Sequence, residues 1–355
     1  MKKVQKIFAC DFETTVFEGQ QFTEVWSSAF VELFDPTETV TIHGCIEDTI
    51  QYFAKAKFNS LLYYHNLKFD GSFIIDYLLR NGYTQAFDID GTECHAIDNK
   101  YMDNKTFKYT ITEMGQWFTI TIKVNNHFIE IRDSLKLLPF SLRQISDAFK
   151  TKHKKLDMEY EGRRYKNCPI SDSEKEYIKN DVLVLKEALE FMFEQGHKEL
   201  TIGSCCLKEF KELFNKKYCL SKEDYEGFFP DLENVTLDKN IYGSENADAY
   251  IRKSYKGGWC YVVPSRANKV IDKGLTGDVN SLYPYSMHSS SGNRFPIGLP
   301  KFWTGSVIPD ECYENDRYFF VRFRCRFKIK DKHLPFLQIK NSYLYKGNEM
   351  LTTSD

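Results

Sequence analysis

VQKIFACDFET, residues 4–14, alternates apolar with other residues and then closes on two acids. The alternation predicts a strand. Asp11 and Glu13 stand at i and i+2, so both carboxylates leave the same face and can share a metal ion. They follow IFAC, an apolar run expected to be buried. Acids at the end of a buried strand are costly unless compensated, and a metal is the natural compensation.

Working outward, TEVWSSAFVELF reads as a second strand, residues 46–56 as a helix and LLYYHN as a short buried strand. GSFIIDYLLRNGY has helical spacing ended by Asn81 and Gly82. Residues 105–132 alternate as antiparallel strands with a turn at Asn125 and Asn126. A long helix is expected from Ser173 to about Glu194, capped by Ser171 or Ser173 with acids in its first turn. Strands first and flanking helices after give an α/β domain ending near residue 190. Residues 200–260 read as helix and loop, and 274–355 return to a strand-like pattern where a second domain begins. Within it DVNSLYPYSM, residues 278–287, places Asp278 where a strand gives way to a turn. As a metal ligand that carboxylate needs a partner elsewhere.

At 355 residues the chain has room for two or three domains. It is 42% hydrophobic, and its 22 Tyr and 29 Phe supply material for cores and stacking surfaces. No window approaches the roughly 18 apolar residues of a membrane span. The basic, then apolar start is broken by acids too soon for a signal peptide, which points to a cytoplasmic protein with no membrane partner. Ten cysteines include no C-x-x-C pair, and Cys205 and Cys206 are adjacent, so reduced thiols are expected rather than a zinc or disulfide framework. A net charge of -2 argues against a surface coated in basic residues. The densest basic run, KTKHKK at 150–155, is followed by Arg163, Arg164 and Lys166 and reads as a solvated face.

Two further acids end or open apolar elements. Asp70 lies in YYHNLKFDG at the mouth of a helix, and Asp181 lies in YIKNDVLVL with Tyr177 one turn before it on the same face. Carboxylates without His or Cys suit hard, oxygen-loving ions, Mg²⁺ or Mn²⁺. Two such ions can bracket a phosphate during an in-line displacement.

CDFET, YHNLKFDG and YIKND, in that order, resemble the three exonuclease motifs of the DEDDy nucleases as they occur in family B DNA polymerases. DVNSLYP resembles polymerase motif A, and YKGGW at 255–259 the Y-x-G-G motif that joins nuclease and polymerase domains. DSLKLLPF at 133–140 and LYKGNE at 344–349 narrow the resemblance to protein-primed polymerases of bacteriophages and linear plasmids. The resemblance spans nearly the whole chain. It implies a mixed α+β molecule: a ribonuclease-H-like 3′ to 5′ exonuclease domain over 1–195, linker helices and the first part of the palm over 196–290, and a strand-rich terminal-protein-region insertion from 291 to 355. The family's later K-x-x-x-N-S-x-Y-G and Y-x-D-T-D-S segments do not occur here, so the sequence is expected to break off inside that insertion.

Residue by residue, the resemblance makes Asp11, Glu13, Asp70 and Asp181 the ligands of two Mg²⁺ or Mn²⁺ ions, and Tyr177 the residue that orients the attacking water. Lys155, with Lys154 nearly as well placed, matches a phosphate-binding lysine. Thr14, Tyr63, His65, Asn66, Phe69, Ser134, Leu135 and Phe140 match residues that hold a frayed single strand, whose bases offer faces for stacking. In the polymerase part, Asp278 and the backbone at Val279 would serve a second pair of ions. Ser281, Leu282 and Tyr283 would meet the nucleotide, with Tyr283 under its sugar, and Tyr255, Gly257 and Gly258 would meet the primer-template. The implied partners are single-stranded and primer-template DNA, a terminal protein whose hydroxyl primes synthesis, and deoxynucleoside triphosphates, in the cytoplasm of a bacterial host if the gene is a phage's. A stand-alone DEDDy exonuclease and a non-catalytic DNA- or primer-binding remnant are the alternative readings.

Overall fold

The computed structural model describes residues 5–90, 93–158, 162–218, 221–255, 263–314, 317–322, 326–330, 333, 337–339 and 349–351. The opening stretch forms β1 (Gln5–Thr14), followed by β2 (Val25–Glu32), β3 (Thr41–His43), α1 (Ile46–Lys55), β4 (Asn59–Tyr64) and α2 (Leu67–Arg80). Next come β5 (Thr84–Gln85), a hairpin of β6 (Phe87–Asp90) and β7 (Glu93–Ala96), β8 (Thr106–Ile111), β9 (Trp117–Val124) and β10 (His127–Asp133). Two helices, α3 (Leu142–Ala148) and α4 (Asp172–Glu194), precede α5 (Ile202–Tyr218). Chain contacts divide the molecule into two compact units, Met1–Phe210 and Lys211–Asp355.

Among the described residues, eight strands of the first unit form one mixed sheet in the order β3-β2-β1-β4-β10-β9-β8-β5. β1 runs antiparallel to β2 and parallel to β4, which is parallel to β10. That arrangement is the ribonuclease-H-like one the resemblance implies. The alternation in β1 sorts two cores: Ala9 faces a layer built on Val182, Leu185 and Leu189 of α4, while Phe8, Cys10 and Phe12 face one built on Leu67, Ile74 and Leu78 of α2. Burying side chains of this size stabilises by about 1.5–3 kcal/mol each, which holds a helix layer on either face of the sheet.

The local signals explain the boundaries. Asn125 and Asn126 both have positive φ, 47° and 60°, as a two-residue hairpin turn between β9 and β10 requires. Ser171, not Ser173, caps α4, in a reciprocal box with Glu174. α2 begins at Leu67, four residues earlier than its apolar spacing announces, and lies close on the sheet because Gly71 has no side chain: a Cβ there would meet the Trp117 ring at 2.7 Å.

The second unit contains α6 (Lys222–Phe228), α7 (Lys239–Tyr242), α8 (Ala247–Arg252) and α9 (Leu282–Met287). The strand-like pattern from 274 onward yields, among the described residues, one antiparallel pair, β11 (Leu337–Ile339) with β12 (Glu349–Leu351). Tyr318, Phe319, Phe320 and Val321 alternate poorly and remain exposed, and no described strand pairs with them. Asp278 is likewise preceded by coil rather than by a strand.

Candidate functional site

Asp11 and Glu13 lie at the C-terminal end of β1, on the face covered by α4. The β1–β2 register slips between Glu13 and Thr14, which pair with Ser27 and Val25 and skip Trp26. Such a bulge twists the strand and re-aims its side chains. The skipped Trp26 is fully buried and donates its indole N–H to the Thr14 carbonyl at 3.2 Å, pinning the strand end. Asp181 descends from the buried stripe of α4, between Ile178 and Leu185. One carboxylate oxygen from each of Asp11, Glu13 and Asp181 lies within 4.8 Å of the others. Asp70 approaches from α2, on the opposite face of the sheet, and lies outside this group of three, near enough for its charge to act on Asp11.

Like charges 4.8 Å apart repel by about 3 kcal/mol per pair at an effective dielectric of about 20. The acids register that cost. Burial, followed by the charges of Asp70, Glu13 and Asp181, pushes the Asp11 carboxyl well above the usual range, although one edge of it faces solvent. Burial is also the main cause that takes Asp70 up to about 8, and it raises Asp181 against the pull of Lys155 and Tyr177. Asp70 Oδ1 and Asp181 Oδ1 are buried with no hydrogen-bond partner. The clustered acids, with buried lone pairs stranded on Asp181 and on nearby Asp70, fit hard divalent cations, which would meet those lone pairs and cancel the repulsion.

Lys155 donates to the Tyr177 hydroxyl at 2.5 Å, forms an ion pair with Asp181 and sits 4.1 Å from the centre of the Tyr177 ring. Desolvation alone would lower the Lys155 pKa, but Asp181 and Tyr177 overcome it and the net shift is upward. Burial raises the Tyr177 hydroxyl, leaving a neutral phenol near pH 7. Lys154 points away, donating to the Ser146 carbonyl at 2.7 Å. The basic run is less a free cationic face than its sequence predicts. Lys152 pairs with Glu38, His153 with Glu187, Arg164 with Glu174 and Lys166 with Glu47.

The residues matched to strand holding divide by exposure. Phe69 and Phe140 present their rings to solvent, 48% and 51% exposed, so neither is core packing. Asn66 is exposed in a left-handed conformation and Leu135 is half-buried. His65 Nε2 donates to the Phe140 carbonyl at 2.8 Å and Nδ1 lies 3.0 Å from Ser134 Oγ, and burial lowers the ring's pKa so that it is neutral. Ser134, Thr14 and Tyr63 are buried. The Tyr63 ring packs on Phe193 and its hydroxyl adjoins Arg132, so it supports the surface from beneath.

In the second unit Asp278 is exposed, and among the described residues no second cluster of metal-ligating acids forms around it. Val279, Leu282 and Tyr283 are exposed beside it, and Ser281 takes a positive φ of 53° at the start of α9. Tyr255 is 82% exposed, whereas Gly257 and Gly258 lie outside the described residues.

The sequence profile of the family described as DNA polymerase type B, organellar and viral, matches residues 55–176 and 158–355. The chain belongs to this family. Among its relatives in the type B family, the DNA polymerase of Bacillus phage phi29 is 34% identical over 99% of this chain and 55% of its own length. The DNA polymerase of Streptococcus phage Cp-1 is 31% identical over 94% of this chain and 53% of its own. The solved phi29 DNA polymerase complexed with primer-template DNA and incoming nucleotides matches all of this chain and 55% of that one, with a TM-score of 0.75 and 32% identity. The phi29 polymerase complexed with single-stranded DNA matches with a TM-score of 0.72 and 30% identity over 98% of this chain and 54% of that one. The chain therefore spans about half the length of the curated relatives it matches.

In this type B chain, sequence reasoning overlooked Asp133, Glu174 and Glu187. Each is an acid with at least one partner in a distant element or a loop. Asp133 could have been found as an acid closing the alternating run HFIEIRD, and Glu174 as the fourth residue of S-D-S-E, a capping box. Glu187 carries no local sign: it accepts the Lys152 N–H at 2.6 Å and the His153 ring at 2.5 Å, docking the loop that carries Lys155 onto α4.

Proposed function

We propose that the first unit is a divalent-metal-dependent 3′ to 5′ exonuclease acting on single-stranded DNA, and that the chain is the N-terminal part of a protein-primed DNA polymerase whose proofreading it performs. The observation that carries this reading is the convergence of Asp11, Glu13 and Asp181 within 4.8 Å, beside Asp70 and the Lys155–Tyr177 pair. Mg²⁺ or Mn²⁺ ions held by these four acids would activate water and neutralise charge on the scissile phosphate.

The chain's own groups divide the remaining work. The Tyr177 oxygen receives the Lys155 ammonium on one side and has a second lone pair with which to accept a hydrogen from water, aiming that water at phosphorus. The water oxygen, giving up its proton to solvent, bonds to phosphorus as the bond to the 3′ oxygen breaks; that oxygen takes a proton to become the shortened strand's new 3′ hydroxyl, and a deoxynucleoside 5′-monophosphate is released. Lys155 lies where it can also meet a phosphate oxygen. Phe69 and Phe140 offer exposed ring faces to the last bases, with Asn66, Leu135 and the Ser134–His65 pair on the segments that carry them. Binding of single-stranded and primer-template DNA and of incoming nucleotides in the phi29 relatives supports the same partners for the protein to which this chain belongs. In that protein Asp278, Val279, Ser281, Leu282 and Tyr283 belong to the palm, and the terminal protein supplies the priming hydroxyl.

The test is digestion of a 5′-labelled single strand with Mg²⁺ or Mn²⁺. Shortening from the 3′ end that stops on chelation is expected, and cleavage indifferent to chelation would overturn the reading. In the same assay Tyr177→Phe should lower turnover by roughly ten- to a thousandfold with little change in DNA affinity, because an orienting hydrogen bond matters most in the transition state. Equal turnover would reduce Tyr177 to a helix surface residue.

A further inference from the structure

We infer that Asp133 is a positioning residue that holds together the two loops gripping the DNA strand, an inference that rests on the nuclease reading above. Asp133 closes β10, is 3% exposed and lies opposite Tyr64 in the parallel register of β4. Its Oδ1 accepts three backbone N–H groups: Asn66 at 3.1 Å, Leu67 at 3.2 Å and Leu135 at 3.0 Å. The first two belong to the loop after β4 and the start of α2, the third to the loop after its own strand. One buried oxygen therefore ties the segment carrying His65, Asn66 and Phe69 to the segment carrying Ser134, Leu135 and Phe140.

The arrangement replaces an ordinary helix cap. Asn66, at the N-cap of α2, has φ 71° and makes no capping bond with its own side chain, so the first N–H of α2 is satisfied from another strand. A carboxylate accepting several N–H groups is a strong, charge-assisted junction, and its second oxygen lies 3.9 Å from the Lys136 ammonium. The His65 bridges to Ser134 and to the Phe140 carbonyl span the same two loops, but through neutral hydrogen bonds. The acid cluster has separate support: Asp11 and Glu13 stand on β1, Asp181 on α4, and α2, which carries Asp70, is held by the buried Leu67, Ile74 and Leu78. Loss of Asp133 should therefore loosen the grip on the strand more than the chemistry. Asn at this position keeps one acceptor oxygen but loses the charge and turns its amide toward Lys136.

Equilibrium binding of a 5′-fluorescein oligothymidylate to the full chain in EDTA, read by anisotropy, separates binding from hydrolysis. Asp133→Ala should weaken binding at least about tenfold and Asp133→Asn by roughly three- to tenfold, the loss expected when a charge-assisted junction is removed or weakened. With Mg²⁺ present, KM for the same strand should rise in parallel while kcat stays within about threefold. Binding within about twofold of wild type in both variants would overturn the inference. So would a fall in kcat at unchanged KM, or a loss of binding in both variants that merely follows a lost thermal transition. If the unmodified chain hydrolyses nothing yet both folded variants bind DNA more weakly, the nuclease reading fails and the role of Asp133 in holding the strand is upheld.

Discussion

Replacing Asp11 and Glu13 together by Ala will lower 3′ to 5′ degradation of single-stranded DNA by on the order of a thousandfold or more, because two ligands to the same metal site disappear at once. The argument is geometric. Both side chains leave the α4 face of β1, and each places an oxygen within 4.8 Å of Asp181. Asp181 and Asp70 alone would approach the ions from opposite faces of the sheet with nothing between them. The fold should survive, since the substitutions remove mutual repulsion from a buried site and leave the Phe8, Cys10 and Phe12 face untouched. Gel-resolved digestion beside a thermal melt checks both halves. Undiminished cleavage by a folded, contaminant-free double variant would remove these acids from the mechanism.

Without divalent ions, the first unit should lose stability as pH rises from about 4 to about 8, reversing the usual gain of a protein leaving acid. Asp70 has its folded pKa pushed to about 8, chiefly by burial, and Asp11 and Asp181 are displaced in the same direction. The unfolded chain ionises these groups near pH 4, so across that window the folded state holds more protons and stability falls with rising pH. Four pH units on one carboxyl correspond to about 5 kcal/mol as an upper bound. For a unit of this size each kcal/mol moves the melting temperature by about 2–4 °C, so a fall of several degrees or more between pH 5.5 and 8.5 is expected in chelator. Glu174, where burial is outweighed by its Ser171 and Arg164 partners and the carboxyl is lowered, acts in the opposite sense: its contribution is lost as pH falls through that lowered value. On the proposed reading Mn²⁺ would bind the ionised acids, so adding it should restore the melting temperature far more at pH 8 than at pH 5.5. Melting in EDTA that is flat or rises with pH, or a metal benefit that ignores pH, would contradict the assigned electrostatics.

Much of this was written in short-range pattern. The alternation of 4–14 determined β1 and put Asp11 and Glu13 on one face, because side-chain direction in a strand has period two. Helical spacing put Tyr177 and Asp181 on one side of α4, and Asn125-Asn126 announced its hairpin. Motif order carried the family. Local pattern did not decide which lysine of HKK meets the acids. That depends on Glu187, thirty-odd residues downstream, docking the loop so that Lys155 turns toward Asp181 while Lys154 turns toward Ser146. Nor could it show that Asp70 reaches β1 from the far face of the sheet, that Tyr63 lies beneath the surface while Phe69 stays on it, or that Asp133 joins two loops nearly seventy residues apart. Those outcomes come from strand order and layer packing. A sequence window reports which way a side chain leaves its own element, whereas the identity of the groups it meets depends on which distant element is packed against it.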